Sequence, residues 1–241
     1  MEEKIVQFPE NPAPRPKNHK KKPPRRGRLW LFFVFVLAVG LIWFSRHSGG
    51  EEFAVPEQII ICLDAGHGGA DAGAVNGDRL EKDDNLRIVQ AVRDRLLDFG
   101  SPRLEVFLTR QDDTALELQE RVDLANDGNA TLFLSVHRNS GGGKGVEVWT
   151  SAAAEKDECR LAAYIMDGLE SVGVSKVRGV RHGTAGNPAV SYTVLGRTTM
   201  PACLLELGFL DSETDNTLLD EQFDAYAQAI ADGILQMVKL K

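Results

Sequence analysis

Short apolar runs alternate with segments of helical periodicity between about residue 58 and residue 241, and this alternation limits the fold more than any other feature. Strands that alternate with helices over such a length are typical of α/β proteins. We therefore predict a single α/β domain with a mainly parallel, mixed β-sheet that is flanked by helices on both faces. Strands are predicted at 58–63, 104–109, 132–136, 146–150 and 202–207, with a weaker strand signal at 192–195. Helices are predicted at 82–99, 116–126 and 156–172, and one long or broken helix at 213–238.

The first 28 residues differ in composition from the rest of the chain. They contain nine Lys or Arg residues against three Glu residues, a net charge of +6, and six of the ten prolines of the chain. Because few of these residues are apolar, the segment cannot bury enough surface to offset its conformational entropy. We predict a disordered, basic, cytoplasmic tail at 1–28.

Residues 29–45 are predicted to form a transmembrane signal-anchor. Leu29–Phe44 is a run of sixteen uncharged residues, with Trp30 and Trp43 near its ends, where indole rings prefer the lipid headgroups. This length is near the short limit for a hydrocarbon core of roughly 30 Å. A cleaved signal peptide is the alternative, although Ser45–Gly50 is a poor cleavage site.

Charge gives the orientation of this anchor and excludes one class of partner. The basic residues before the apolar run predict a cytoplasmic N-terminus. A linker at 46–57 and a domain at 58–241 are then expected on the outer side of the bacterial cell membrane. Residues 29–241 carry a net charge of −13, because the whole chain carries −7 and the tail +6. So acidic a domain predicts no nucleic-acid partner.

The three cysteines show no metal-binding spacing. Cys62, Cys159 and Cys203 are far apart in the sequence, and Cys62 and Cys203 lie within apolar runs. We predict buried free thiols at these two positions.

Polar residues with metal-binding side chains follow or end several predicted strands. His67 follows the first strand, His137 and Glu206 lie at the ends of two others, and Glu81 lies where the first helix begins. Because ligands bind at the carboxyl ends of parallel strands, all four are expected at one rim of the sheet. A catalytic zinc site needs three such ligands and a nearby carboxylate. Ordinary roles remain open for each residue alone, for instance a favourable helix-dipole contact for Glu81.

Four segments that bear these residues resemble the zinc-dependent N-acetylmuramoyl-L-alanine amidases of the amidase-3 family. The resemblance covers about residues 58–240. Its motifs are Ile60–Gly69, Leu80–Lys82 leading into the helix through Asn85 and Leu86, Phe133–Asn139, and Met200–Leu210.

The resemblance implies a set of site residues and a reaction. His67, Glu81 and His137 would bind zinc (Zn2+), and Glu206 would be the catalytic carboxylate. Water activated by zinc and Glu206 would cleave the amide bond between N-acetylmuramic acid and L-alanine of peptidoglycan stem peptides. Asn139 and Arg197 are further candidates for substrate contacts, with surface solvation as their alternative.

The sequence departs from the family pattern at two positions. Ala65 stands where Pro is common, and Arg138 stands where a smaller residue is common, so Arg138 is a candidate for altered substrate contacts.

Two other functions are alternatives to an amidase. They are a non-catalytic wall-binding protein of the same fold and a zinc peptidase that cuts peptide cross-links. The short interval between His137 and Glu206 predicts an open groove without an inserted blocking helix. The physiological role and any protein activator stay open.

Overall fold

A six-stranded sheet organises residues 53–240, the part of the chain that this computed structural model describes. The predicted tail, the predicted anchor and the first part of the linker lie outside the described residues. Within 53–240, no helix is long and apolar enough to cross a membrane. In chain order the strands are β1 (Ile59–Ala65), β2 (Val75–Asn76), β3 (Arg79–Leu80), β4 (Leu104–Leu108), β5 (Leu132–Asn139), β6 (Val146–Thr150), β7 (Val177–His182) and β8 (Ala202–Phe209).

The spatial order of the main sheet is β4-β1-β5-β8-β6-β7, and β2 and β3 form a separate two-stranded hairpin. β4, β1, β5 and β8 run parallel, β6 is antiparallel to β8, and β7 is parallel to β6. The carboxyl ends of β1, β5 and β8 therefore meet at one rim, as the sequence predicts for a mainly parallel, mixed sheet.

Helices cover both faces of the sheet. They are α1 (Glu81–Asp98), α2 (Leu118–Asp127), α3 (Lys156–Val172), α4 (Thr193–Gly196), α5 (Glu213–Glu221) and α6 (Phe223–Met237). Because side chains alternate along a strand, β1 sends Ile61 and Leu63 into the core under α1, α3 and α6. Cys62 points the other way, into a smaller core with residues of α2 and α4. The predicted helices on both faces are thus confirmed.

The two predicted buried thiols lie in different cores. Cys62 packs in the smaller core and Cys203 in the larger one, and both side chains are fully buried. All three cysteines are free thiols, as predicted for the two buried ones.

Two details differ from the sequence-based expectation. The strand signal at 192–195 is wrong, because Thr193–Gly196 is a single helical turn. Of the two forms predicted for 213–238, the broken helix is confirmed, with Gln222 between α5 and α6. The edge strand β7 was not predicted, because its polar residues and Gly179 give no apolar alternation.

Candidate metal centre

The loop that follows β1 places His67 in a rare backbone conformation. His67 has a φ of +62°, in the left-handed region that a non-glycine residue seldom adopts. Two arginines hold the loop there. Arg121 donates hydrogen bonds to the carbonyl oxygens of Ala65 (2.7 Å) and His67 (2.8 Å), and Arg110 donates to those of Ala65 (2.9 Å) and Gly66 (3.0 Å).

Beneath this loop, Asp64 is a buried acid with every oxygen occupied. Its Oδ1 accepts hydrogen bonds from Arg121 (2.8 Å) and Thr109 (2.6 Å), and its Oδ2 accepts one from Ser135 (2.6 Å). Burial by itself raises the pKa of Asp64, but the Arg121 charge and these hydrogen bonds outweigh it and hold the pKa below the ordinary value. Asp64 and Arg121 therefore form the charged support of the His67 loop.

Close backbone approach at two glycines lets the three predicted ligands meet. A Cβ at Gly66 would lie 2.2 Å from the His137 ring, and a Cβ at Gly73 would lie 2.6 Å from Glu81 Oε2 and 2.7 Å from His67 Cδ2. No side chain fits at either position, so these glycines are required by the site itself.

His67, Glu81 and His137 form one cluster, as the sequence predicts. One ligand atom from each lies within 4.8 Å of the others. Glu81 Oε1 is 3.1 Å from His67 Nε2 and 2.9 Å from His137 Nδ1. Burial raises the pKa of Glu81, but its contacts with His137 and His67 prevail and hold that pKa far below the ordinary value. Burial lowers the pKa of His67, yet its hydrogen bonds to Glu81 and Asp71 raise it to about 9.

A second carboxylate fixes the tautomer of His67. Asp71 Oδ2 lies 2.7 Å from His67 Nδ1, on the side of the ring away from Glu81. In the neutral form of the ring, which is the form that binds a metal, an Nδ1–H donated to Asp71 leaves the lone pair on Nε2, the atom that faces the cluster. Carboxylate–histidine pairs of this kind orient metal-binding imidazoles and make them more basic.

Glu206 lies beside the cluster and has a free, buried oxygen. On the paired strands β5 and β8 it is directly opposite His137, and it lines the same cavity as His67 and His137. Its Oε2 is inaccessible to solvent and has no hydrogen-bond partner among residues 53–240. Burial raises the pKa of Glu206 to about 7. The positive charge of His137 lowers this pKa and the Glu81 and Glu147 charges raise it, but burial is the largest influence. A carboxyl group with such a pKa can both accept and donate a proton near neutral pH.

The cavity around these residues has two walls. One is formed by Ala115–Leu118 and the other by Ser191–Val194, and Thr184 lies near the second. Of the two helices between His137 and Glu206, α3 packs on the opposite face of the sheet, and α4 is only four residues long. Within the described residues this interval adds no long helix on the face that bears the cavity.

The other predicted contact residues lie at different distances from the cluster. Asn139 follows His137 by two residues on β5 and donates to Glu147 Oε1 at 2.9 Å, in a neighbouring depression. Arg197 donates to Gln119 and does not line the cavity. Arg138 is only 2% exposed and is bound to Asp84, so its side chain does not reach the cavity face, and the suggested altered substrate contact is wrong.

The residues that hold the His67 loop and ring in place could not be predicted from the sequence. Asp71, Arg110 and Arg121 are ordinary charged residues in the sequence, and only the fold brings them to the His67 loop. The one available signal for Asp71 is its position in the glycine-rich segment four residues after His67.

Comparison with known proteins identifies the family of this chain. The sequence profile of the Amidase_3 family, described as N-acetylmuramoyl-L-alanine amidase, matches residues 61–236. The germination-specific N-acetylmuramoyl-L-alanine amidase of Bacillus subtilis is 32% identical over 228 residues, which cover 86% of this chain and 91% of that protein. The sporulation-specific N-acetylmuramoyl-L-alanine amidase of the same organism is 32% identical over 183 residues, 75% of this chain and 69% of that protein.

Solved structures agree with this result. The catalytic domain of CwlV, an N-acetylmuramoyl-L-alanine amidase from Bacillus (Paenibacillus) polymyxa var. colistinus, is 36% identical and has a TM-score of 0.67, covering 76% of this chain and all of that one. The CwlD amidase from Clostridioides difficile, solved in complex with the GerS lipoprotein, is 28% identical with a TM-score of 0.67, again over 76% of this chain and all of that one.

Proposed function

Because the chain belongs to the Amidase_3 family of N-acetylmuramoyl-L-alanine amidases, we propose that it hydrolyses peptidoglycan with zinc bound by His67, Glu81 and His137. The bond cleaved joins the lactyl group of N-acetylmuramic acid to L-alanine of the stem peptide. The observation that carries this proposal is a three-ligand cluster next to a buried carboxyl group without a partner, Glu206.

The three side chains fit a zinc ion. Two imidazole nitrogens and one carboxylate oxygen are the donor set of several catalytic zinc sites. Ligand atoms around a tetrahedral ion with bonds of roughly 2.1 Å lie roughly 3.4 Å apart. The distances of 2.9 and 3.1 Å from Glu81 Oε1 to the two histidines are slightly short for such an ion, and all three ligand atoms already lie within 4.8 Å of one another. When bound, zinc supplies a Lewis acid that polarises a carbonyl and acidifies water.

Glu206 moves the proton. Its carboxylate accepts a proton from the attacking water and returns it to the nitrogen of L-alanine as the amide bond breaks. Burial helps both steps, because a raised pKa makes the carboxylate a better base and leaves its acid form populated near neutral pH. Asp71 keeps His67 in the tautomer that presents Nε2 to the metal.

The decisive experiment is hydrolysis of purified peptidoglycan by the full chain, beside Glu206→Gln and a chelated sample that is then resupplied with zinc. We expect the wild-type chain to produce new L-alanine amino termini and no new sugar reducing ends. Glu206→Gln should be inactive with or without added zinc, whereas the chelated sample should regain activity when zinc is added. New amino termini other than L-alanine would identify a peptidase instead. Zinc retained at one equivalent without hydrolysis would favour a wall-binding role or a required partner, such as the lipoprotein found with the related CwlD.

The site of action proposed here is the outer face of the bacterial cell membrane, with residues 29–45 as the single-pass anchor. The support is the uncharged run Leu29–Phe44, preceded by a segment of net charge +6. Protease added to intact spheroplasts should digest residues 58–241 and spare the tail. Release of the protein by high salt without detergent would exclude the anchor.

A further inference from the structure

One row of side chains crosses the sheet from the cluster toward the edge strand β7. His137 on β5 is opposite Glu206 on β8, and Glu206 is opposite Glu147 on β6. Residues opposite each other on neighbouring strands share a face of the sheet. Arg181 on β7 is opposite Trp149, which is two residues from Glu147 and so on the same face.

A β-bulge brings a second arginine to this row. Val146 pairs with Val177 and the next residue, Glu147, pairs with Gly179, so Arg178 is the extra residue of β7. Bulges commonly redirect a side chain. Here the Arg178 Nε lies 2.8 Å from Glu147 Oε2, and its guanidinium group lies 4.9 Å from the centre of the Phe209 ring.

Glu147 holds Arg178 in place beside this row of side chains. It is buried, and its other oxygen accepts a hydrogen bond from Asn139 at 2.9 Å. Because Arg178 uses only Nε for Glu147, its two terminal nitrogens have no hydrogen-bond partner among residues 53–240. The Arg181 Nε lies 3.8 Å from Glu147, and the Arg181 side chain is 48% exposed. The arginine depression, lined by Asn139, Glu147, Arg178, Arg181 and Phe209, thus presents oriented, unused guanidinium donors.

The charge of the depression is opposite to that of the domain. Residues 29–241 carry a net charge of −13, yet the arginine depression continues into a second one that is lined by Lys144, Lys176 and Asp211. Together the two depressions contain four basic side chains against the two acids Glu147 and Asp211. Guanidinium groups with free terminal nitrogens bind carboxylates in a bidentate manner. The ligand expected here is therefore an anion with a planar carboxylate.

The distance from Glu206 fits the peptide side of the substrate. Neighbouring strands lie about 4.8 Å apart, so β7 is roughly 10 Å from β8. An extended peptide advances roughly 3.4 Å per residue, and the second and third residues after the scissile amide fall within that range. We propose that Arg178 and Arg181 bind a free carboxylate of the stem peptide at its second or third residue, an inference that rests on the proposed amidase function.

The test compares two synthetic substrates on the full chain loaded with zinc. One is an N-acetylmuramoyl tripeptide beginning with L-alanine and bearing free carboxylates, and the other has the same carboxylates converted to primary amides. The double variant Arg178→Gln/Arg181→Gln should lower the ratio of kcat/KM for the acid to kcat/KM for the amide by about 10- to 100-fold, mainly through KM. Arg95→Gln, at the far end of α1 and paired with Asp224, is the matched control and should leave the ratio unchanged.

The results of this experiment distinguish failure of the amidase function from failure of the carboxylate subsite. If the wild-type chain cleaves neither substrate and also leaves purified peptidoglycan intact, the amidase function proposed for this chain by itself fails, and the carboxylate subsite fails with it. If it releases L-alanine amino termini and the ratio in the double variant equals that of the wild type, the carboxylate subsite is wrong, whether or not overall activity falls. Salt supplies a second readout, because the preference for the acid substrate should decrease with ionic strength in the wild type and not in the double variant.

Discussion

At the scale of single residues, the proposed role of Glu206 leads to a prediction about the pH range in which the chain is active. The carboxylate must be ionised to accept a proton, and burial raises its pKa from 4.5 to about 7. A bound cation nearby favours the ionised form and lowers the pKa from that value. We therefore predict that kcat/KM falls on the acid side with a midpoint between 4.5 and about 7. A pH–rate profile with zinc content measured at each pH checks this, and a flat profile down to pH 4.5 at constant zinc content would contradict it.

Asp71 is expected to orient the His67 ring and so to affect the affinity for zinc. Asp71→Asn keeps the size of the side chain and an oxygen for the Gly73 amide, but its amide nitrogen cannot accept the His67 Nδ1–H. We predict a roughly 10- to 100-fold loss of zinc affinity, measured by competition with a chromophoric chelator. The thermal midpoint should change little after chelation, since the Asp71 side chain is 65% exposed. Asp94→Asn, on the exposed side of α1, is the control, and equal zinc affinities for the two variants would refute the role of Asp71.

At the scale of elements, the conformation of the His67 loop depends on the buried ion pair between Asp64 on β1 and Arg121 on α2. Removal of one partner leaves the other charge buried and unpaired, which costs about 3–5 kcal/mol. We predict that Arg121→Met lowers the free energy of unfolding by about this amount and weakens zinc binding, because the His67 carbonyl loses its donor. Urea denaturation measures the first effect. Arg93→Met, on the surface of α1, is the matched control, and an equal loss in both variants would contradict the prediction.

The sign of the pH dependence of stability follows from the same pair. The pKa of Asp64 is lower in the folded chain than its ordinary value of 3.8. Its contribution to stability is therefore complete above 3.8 and is lost as the pH falls through the lower, folded value. In Arg121→Met the folded pKa of Asp64 should rise, so this acid-induced loss of stability should become smaller, as urea denaturation at a series of pH values would show.

Which elements could be predicted from sequence depends on how each one is buried. β1, β5 and β8 were predicted because their residues form apolar runs, as expected for strands covered on both faces. β7 is an edge strand with a bulge. Its own sequence therefore shows no alternation of apolar and polar residues and gives no indication of its register. The turn α4 resembles a strand in sequence because Thr193 and Val194 are β-branched, but packing against the smaller core makes it helical.

The same physical distinction separates the predicted site residues from the missed ones. His67, His137 and Glu206 were predictable, because parallel strands bring their carboxyl ends to one rim whatever the remaining sequence. Arg138 was proposed to alter substrate contacts because it neighbours His137, but side chains alternate along a strand, and the Arg138 side chain is buried away from the cavity. Glu147 and Arg178 are 31 residues apart, and only the pairing of β6 with β7 joins them.

At the scale of the whole molecule, we predict that the domain folds without the metal that we propose it binds. Within 53–240, thirty-three buried hydrophobic residues form the larger core, so we expect stability not to depend on the ligands as it does in a zinc finger. After chelation, His67 and His137 retain a partner in Glu81. A ligand that binds only the folded chain stabilises it by about 4 kcal/mol at a thousandfold excess over Kd. We predict that chelation lowers the thermal midpoint by several degrees while circular dichroism at 25 °C is unchanged. In His137→Ala the midpoint should no longer respond to the chelator, and unfolding of the wild-type domain at 25 °C on chelation would show that metal binding and folding are one event.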